Sequence, residues 1–298
     1  MCVPSFAGVH VAADAAAVCV ETFFGLPQPA SSNADRAARQ TTTIRERVAK
    51  AHNLHRSGSQ AGHSSARSRG LGSLLVPHDP QRPFVLPDGA VEVILARHGS
   101  VEHRLSDPPD DVIGAHSDPD LTELGRRQAV ALAARLRGVP LRELFVTPLR
   151  RTQQTAAPLA DELGLEPRVE PDLREVYLGD WEGRLGQLAE RETVIRSVFA
   201  LGRWDAIPNA EPMEQLSQRV HDGLERIADA GGPDGIVVAV VHGGVVAEAC
   251  HQVTGSRPFA FLHAENGSIT RIVRLAGGRW ELHGFNDVSH LEGAGLEA

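Results

Sequence analysis

Lysine is almost missing from this chain. Of 30 lysine and arginine residues only Lys50 is lysine, so positive charge gathered at a site must be guanidinium. That group stays protonated and forks onto oxyanions through paired hydrogen bonds. Cysteine is scarce too: Cys2, Cys19 and Cys250 are widely spaced and form no C-x-x-C pair. This excludes a disulfide framework and a thiolate zinc site, and suits a reducing, cytoplasmic setting. Long apolar runs are also missing. The opening stretch MCVPSFAGVHVAADAAAVCVETFFGL has no basic region and is interrupted by Asp14 and Glu21, which argues against a signal peptide and a membrane span. Nor is there a basic excess. With 38 acidic residues and a formal charge of −8, the chain lacks the footprint of a nucleic-acid binder.

What is present divides into two parts. Residues 31–82 are rich in Ser, Arg, Gln, His and Gly, as in SSNADRAARQ and RSGSQAGHSSARSRG, with no sustained period. Such text cannot bury enough apolar surface to offset chain entropy, so residues 1–88 are expected to be a disordered amino-terminal extension. That part has nine basic and six acidic residues, a balance of +3, which leaves −11 for the remainder. Residues 89–292 are expected to form the folded domain.

From Val91 onward the pattern is regular. VEVILA and IVVAVV read as strands buried on both faces. LTELGRRQAVALAARLRG reads as a helix capped by Thr122, with Glu123 in its first turn, an apolar face of Leu121, Leu124, Ala129, Leu132 and Leu136, and Gly138 as its stop. LRELFVTP gives a strand and LRRTQQTAAPLADELG a helix ended by Gly164. Helices also fit residues 184–202, 211–232 and 245–255, and SITRIVRLAGGRWELHGF fits two strands around a Gly-Gly turn. Alternating strands and helices predict an α/β fold, a three-layer α/β/α sandwich with a mainly parallel central sheet.

Two of these strands end on His-Gly, at His98 and His242, and LFVTP ends just before Arg150 and Arg151. Open parallel sheets bind ligands at the carboxyl ends of their strands, so these residues, with Arg97, are expected at one rim. The glycine after each histidine is expected to let the chain turn and a ligand approach the backbone. Two histidines and two arginines together call for a strong anion, and a phosphate fits. A neutral imidazole there can attack phosphorus while guanidinium offsets the oxygen charge. Glu175, in LREVYLGDWEG, offers the acid that a leaving alkoxide needs.

RHG at Arg97–Gly99, TPLRRTQQTA at Thr147–Ala156, LREVYLGDWEG at Leu173–Gly183 and VVHGG at Val240–Gly244 resemble, in order, the motifs of the histidine phosphatase superfamily, with its phosphoglycerate-mutase-like fold. LTELGRRQA, the Glu211–Arg219 segment and NDVSH resemble it as well. The resemblance spans Val91 to His290. It implies that His98 is the nucleophile and that Arg97, Arg151 and His242 bind the phosphoryl group and stabilise its charge. Glu175 would protonate the leaving group and then activate water. Arg151 rather than Arg150 matches the family arginine, and Arg150 is expected at the surface. No metal and no cofactor are implied, because guanidinium does the work of a metal ion here.

The mutases of this family carry a long insertion between the acid and the second histidine. This chain holds only two helices there, which resembles the phosphatase branch: a phosphomonoester hydrolase acting on small phosphorylated metabolites, with an acidic to neutral optimum. Mutase-type phosphoryl transfer and non-catalytic binding of a phosphorylated ligand are the alternatives. The expected partner is a small phosphorylated substrate, with no nucleic acid and no membrane, and a homodimer stays open. The text RHGSVEHRLSDPPDD departs from the family's RHG-E-T-x-W-N. Ser100, His103 or Arg104 can substitute in substrate binding, while Asp107, Asp110 and Asp111 add negative charge. Specificity is expected in residues 100–118 and in a lid over residues 184–211.

Other readings are weaker. An esterase needs a G-x-S-x-G elbow, and only GHSSA at residues 62–66 approaches one. His221 and Asp222 are expected as an exposed helix pair, Cys250 as core and Asn266 as a turn cap. Trp181 and Trp204 are read as packing residues or as stacking surfaces for a substrate.

Overall fold

The computed structural model describes residues 84–102, 112–113, 116–182 and 192–296. The expected extension lies outside the described residues up to position 83, and so do His103, Arg104, Asp107, Asp110 and Asp111. In chain order the elements are β1 (Val91–Arg97), a two-stranded ribbon of β2 (Val112–Ile113) and β3 (His116–Ser117), α1 (Glu123–Leu136), β4 (Leu141–Val146), α2 (Arg150–Leu163), β5 (Arg168–Val169), α3 (Glu192–Leu201), α4 (Met213–Gly231), β6 (Ile236–Val241), α5 (Gly243–Thr254), β7 (Ile269–Arg274), β8 (Trp280–Asp287) and α6 (Ser289–Gly293).

The main sheet has the order β5-β4-β6-β1-β7-β8. β1 and β6 lie at its centre, and the alternation of their side chains makes the three layers. Val93 and Leu95 of β1, with Val237, Ala239 and Val241 of β6, pack against Leu216, Val220, Leu224 and Ile227 of α4 and Val245 and Ala249 of α5. Their neighbours Ile94, Ala96, Val238 and Val240 face the other way, against Leu132 and Leu136 of α1 and Ala156 and Leu159 of α2. A strand covered on both faces has no polar side to show, which is why both read as unbroken apolar runs.

β5, β4, β6 and β1 are mutually parallel, and β7 and β8 are antiparallel additions at one edge. The sheet is therefore mixed. Gly278 makes the tight β7–β8 turn at φ +79°, and a connection that short can join only antiparallel strands. Thr122 caps α1 through its side chain, which accepts from the Gly125 N–H. Gly164 ends α2 in the left-handed conformation. Cys250 is wholly buried and burial pushes its thiol up to about 12, as expected of a core residue. Among the described residues no helix is long and apolar enough to cross a membrane.

Candidate active site

Because β1, β4 and β6 are parallel, the residues that follow them share one rim. β1 delivers His98, β6 delivers His242, and β4 leads through Thr147 into α2, whose first turn carries Arg150 and Arg151. The His98 and His242 rings meet edge to face with centroids 5.3 Å apart.

The tautomer of each histidine follows from its partners. Nδ1 of His98 lies 2.8 Å from the Gly99 carbonyl oxygen. A carbonyl can only accept, so Nδ1 carries the proton and Nε2 keeps its lone pair. Burial, then the charges of Arg151 and Arg97, hold the His98 pKa well below the usual 6.5. The ring is a neutral imidazole at physiological pH. Nδ1 of His242 accepts from Nε of Arg151 at 3.3 Å, and its Nε2 faces Thr147 Oγ1 at 2.9 Å. A guanidinium can only donate, so the His242 proton sits on Nε2 and Thr147 accepts it. Burial, then Arg151, lowers this pKa well below the usual value too.

Both arginines are fixed by backbone. Nη1 of Arg151 donates to the Ser117 carbonyl at 2.8 Å, and the same nitrogen is 3.9 Å from Asp118. Nη1 of Arg97 donates to the Ala264 carbonyl, while its Nε is buried without a partner. Burial lowers both guanidinium pKa values, and the Glu175 carboxylate is the largest opposing influence on each. Glu175 follows a 3₁₀ turn over Pro171–Leu173. Its Oε1 accepts from the Val176 N–H at 2.9 Å, and its Oε2 lies 3.5 Å from the Gly244 N–H.

α2 and α5 both begin at this rim with no acidic residue in the first turn and no side-chain cap. The first α2 amide, that of Arg150, already donates to Asp118 Oδ1 at 2.8 Å, while the positive dipole end of α5 faces the rim and favours an anion there. Two buried guanidinium groups, the unpartnered buried Nε of Arg97 and the amino end of α5 suit a tetrahedral oxyanion. A neutral imidazole lone pair and a carboxylate stand in the same pocket. Arg97, His98, Arg151, Glu175 and His242 are thus brought together as the sequence predicts. Arg150 turns away and pairs with Asp118 and Asp120, with its side chain 39% exposed.

Glycines at the rim make room for their neighbours, and a Cβ on Gly243, which follows His242, would lie 3.4 Å from Arg97 Nε. A Cβ on Gly99 would lie 2.5 Å from the Gly125 carbonyl oxygen, and one on Gly244 would lie 2.6 Å from Glu175 Oε1. The first makes room for the backbone of α1 and the second for the acid itself. Neither residue adopts a positive φ.

Several contributors carry no legible sequence signal. Asn266 is more than a turn residue, because its Nδ2 donates to the His98 carbonyl at 2.9 Å. His116 Nε2 donates to the Glu175 carbonyl at 3.0 Å. Glu182 accepts from the N–H groups of Ser117 and Leu178, tying the ribbon to the acid's loop. Burial raises its pKa. Thr147 offers the only hint, since it lies at the end of a strand that leads to the site. Ser100 is bound through its main chain: its N–H donates to Gln128 Oε1 at 2.8 Å and its carbonyl accepts from the Thr122 N–H at 3.0 Å. Trp181 is buried against Val198 and Ile207, and Trp204 is half-buried against Phe259, so both pack. His221 is exposed and Asp222 bonds Gln218, as expected of a solvated helix pair.

Comparison with known proteins bears on the same residues. The model of the histidine phosphatase superfamily (branch 1) matches residues 93–288. A probable phosphoglycerate mutase GpmB of Cronobacter sakazakii is 32% identical over 216 residues, covering 70% of this chain and 98% of that protein. A metal-independent phosphoserine phosphatase of Arabidopsis thaliana is 32% identical over 211 residues, covering 69% and 85%. Among solved structures, a mycobacterial glucosyl-3-phosphoglycerate phosphatase superposes with a TM-score of 0.55 at 28% identity, over 66% of this chain and 99% of that one.

Proposed function

The chain belongs to the histidine phosphatase superfamily, branch 1, and from that premise we propose that it hydrolyses phosphomonoesters of small metabolites through a phosphohistidine on His98. Nε2 of His98 attacks phosphorus, and the P–O ester bond breaks with its electron pair on the leaving oxygen. The Glu175 carboxyl gives that oxygen its proton. Glu175, now a carboxylate, takes a proton from water, whose oxygen attacks the same phosphorus. The P–N bond breaks, its electron pair returns to Nε2, and orthophosphate leaves. Arg97 and Arg151 hold the non-bridging oxygens throughout, and His242, whose Nδ1 accepts from Arg151 and whose Nε2–H goes to Thr147, fixes the Arg151 guanidinium. Charge-assisted hydrogen bonds of this kind contribute about 1.5–3 kcal/mol each.

The observation that carries this reading is the tautomer of His98. The Gly99 carbonyl holds its Nδ1–H, leaving Nε2 unprotonated beside two guanidinium groups. An imidazole kept only for structure has no need of an unprotonated Nε2 close to two guanidinium groups.

Hydrolysis is favoured over transfer because only two α-helices, α3 and α4, lie between Glu175 and His242 among the described residues. The similarity to a phosphoserine phosphatase and to a glucosyl-3-phosphoglycerate phosphatase points the same way. The likeness to a probable phosphoglycerate mutase makes phosphoryl transfer the second reading. One assay separates them. With a phosphoglycerate supplied in EDTA, hydrolysis predicts orthophosphate as the main product, and transfer predicts the isomeric phosphoglycerate with little orthophosphate. Activity lost in EDTA contradicts the metal-free mechanism. No turnover of any phosphomonoester leaves only the binding reading.

A further inference from the structure

Arg219 lies in α4 and is 8% exposed. A guanidinium has five N–H donors, and here all five are engaged. Nε and Nη2 donate to the two carboxylate oxygens of Glu211 at 2.6 and 2.7 Å. Nη1 donates to the carbonyls of Asp172 and Arg174, both at 2.7 Å, and Nη2 also donates to the carbonyl of Glu175 at 3.1 Å. No donor is left for a substrate, so Arg219 acts on its surroundings.

Glu211 extends the grip. Its N–H donates to the Tyr177 carbonyl at 2.9 Å, and its Oε2 accepts from the Tyr177 N–H at 3.4 Å. Burial pushes the Glu211 carboxyl up, and Arg219 more than offsets this, so it sits below the usual range. The two side chains therefore hold main-chain groups on both sides of Glu175, from Asp172 to Tyr177. The remaining lone pair of the Glu175 carbonyl is taken by His116 Nε2. Residue 211 is thus not part of a lid over the substrate.

We propose that Arg219, held by Glu211, is a positioning residue that sets the Glu175 carboxyl for proton transfer to the leaving group, an inference resting on Glu175 as the donor. Proton transfer demands hydrogen-bond reach, and a misplacement of about 1 Å can lower a rate on the order of 10²-fold. Lysine cannot substitute, because one ammonium on a flexible stem cannot span three carbonyls and a carboxylate.

The test compares kcat/KM for an alkyl phosphate, whose leaving group needs a proton, with that for 2,4-dinitrophenyl phosphate, whose leaving group does not. Wild type, Glu175→Gln and Arg219→Lys are each assayed with both esters. The ratio of the two constants is independent of how much enzyme is folded, so a stability defect cancels. For Arg219→Lys we expect a loss on the order of 10²-fold with the alkyl ester and less than about threefold with the aryl ester, the pattern of Glu175→Gln. Equal losses, or none, in Arg219→Lys beside a graded Glu175→Gln overturn this proposal alone. A flat Glu175→Gln overturns the donor assignment and this proposal with it.

Discussion

Nε of Arg151 donates to Nδ1 of His242 across 3.3 Å, and this turns the opposite ring nitrogen of His242 toward the Thr147 hydroxyl. A buried arginine, an imidazole and a strand-end threonine are therefore one hydrogen-bonded line. Thr147 is wholly buried, and its Oγ1 also accepts from the Leu149 N–H and lies 3.1 Å from Thr152 Oγ1. Thr147→Val keeps the shape and removes the acceptor. A buried donor left unpaired costs about 1–3 kcal/mol, so thermal denaturation should show that loss. kcat/KM should fall while Thr147→Ser restores both. Unchanged stability in Thr147→Val would contradict the assigned His242 tautomer.

The depressed histidine pKa values set a pH dependence of stability. His98 and His242 are held well below 6.5 when folded, by burial first and then by Arg151. Below pH 6.5 the unfolded chain binds more protons than the folded one, so stability rises with pH in that range. Their contribution is fully present above about pH 6.5 and is lost as pH falls below it. Other groups, including Glu182 and His116, also titrate differently on folding, so the useful quantity is a difference. Between pH 7 and 5.5 the wild type should lose more stability than His242→Asn, as measured by chemical denaturation at each pH. Parallel curves would refute a neutral, buried His242.

Gly244 separates α5 from the acid. A methyl group there would lie 2.6 Å from both Glu175 Oε1 and Val176 Cγ2. Both obstacles are side-chain ends, so the fold can yield and the carboxylate must move. Gly244→Ala should lower kcat/KM for an alkyl phosphate by about 10–10²-fold, in line with the effect of a misplaced group, with a small change in melting temperature. Full activity in the folded variant would show that the Glu175 rotamer is not the productive one.

Much of this was legible in the residues. β1 and β6 read correctly because strands buried on both faces tolerate only apolar text, and α1 because Thr122 and Gly138 bracket it. Arg97, His98, Arg151 and His242 were legible because strand ends and His-Gly or Arg pairs are local signals, and Glu175 through the family-like stretch LREVYLGDWEG. His116, Ser117, Glu182, Asn266 and the roles of Glu211 and Arg219 were not. These residues work through main-chain carbonyls and N–H groups far away in sequence, and a backbone acceptor leaves no mark on side-chain spacing. The mainly parallel sheet was legible, but the place of its antiparallel edge was not, for a related reason. The Gly-Gly turn revealed a hairpin, but nothing in it said that β7 would pair with β1. Ser100 was marked as a substrate contact by its place after RHG, and its main chain, bonded to Gln128 and Thr122, left no mark in the sequence.

The central claim is the covalent role of His98. Rapid-quench mixing of the enzyme with a phosphomonoester in EDTA, followed by peptide mass spectrometry under alkaline conditions, reads it directly. The account predicts an acid-labile phosphoryl group on His98 that forms and decays within turnover, accumulates in Glu175→Gln with an activated aryl ester, and is missing from His98→Asn. Steady release of orthophosphate with no adduct on His98 in either enzyme, or turnover retained in His98→Asn, would contradict it.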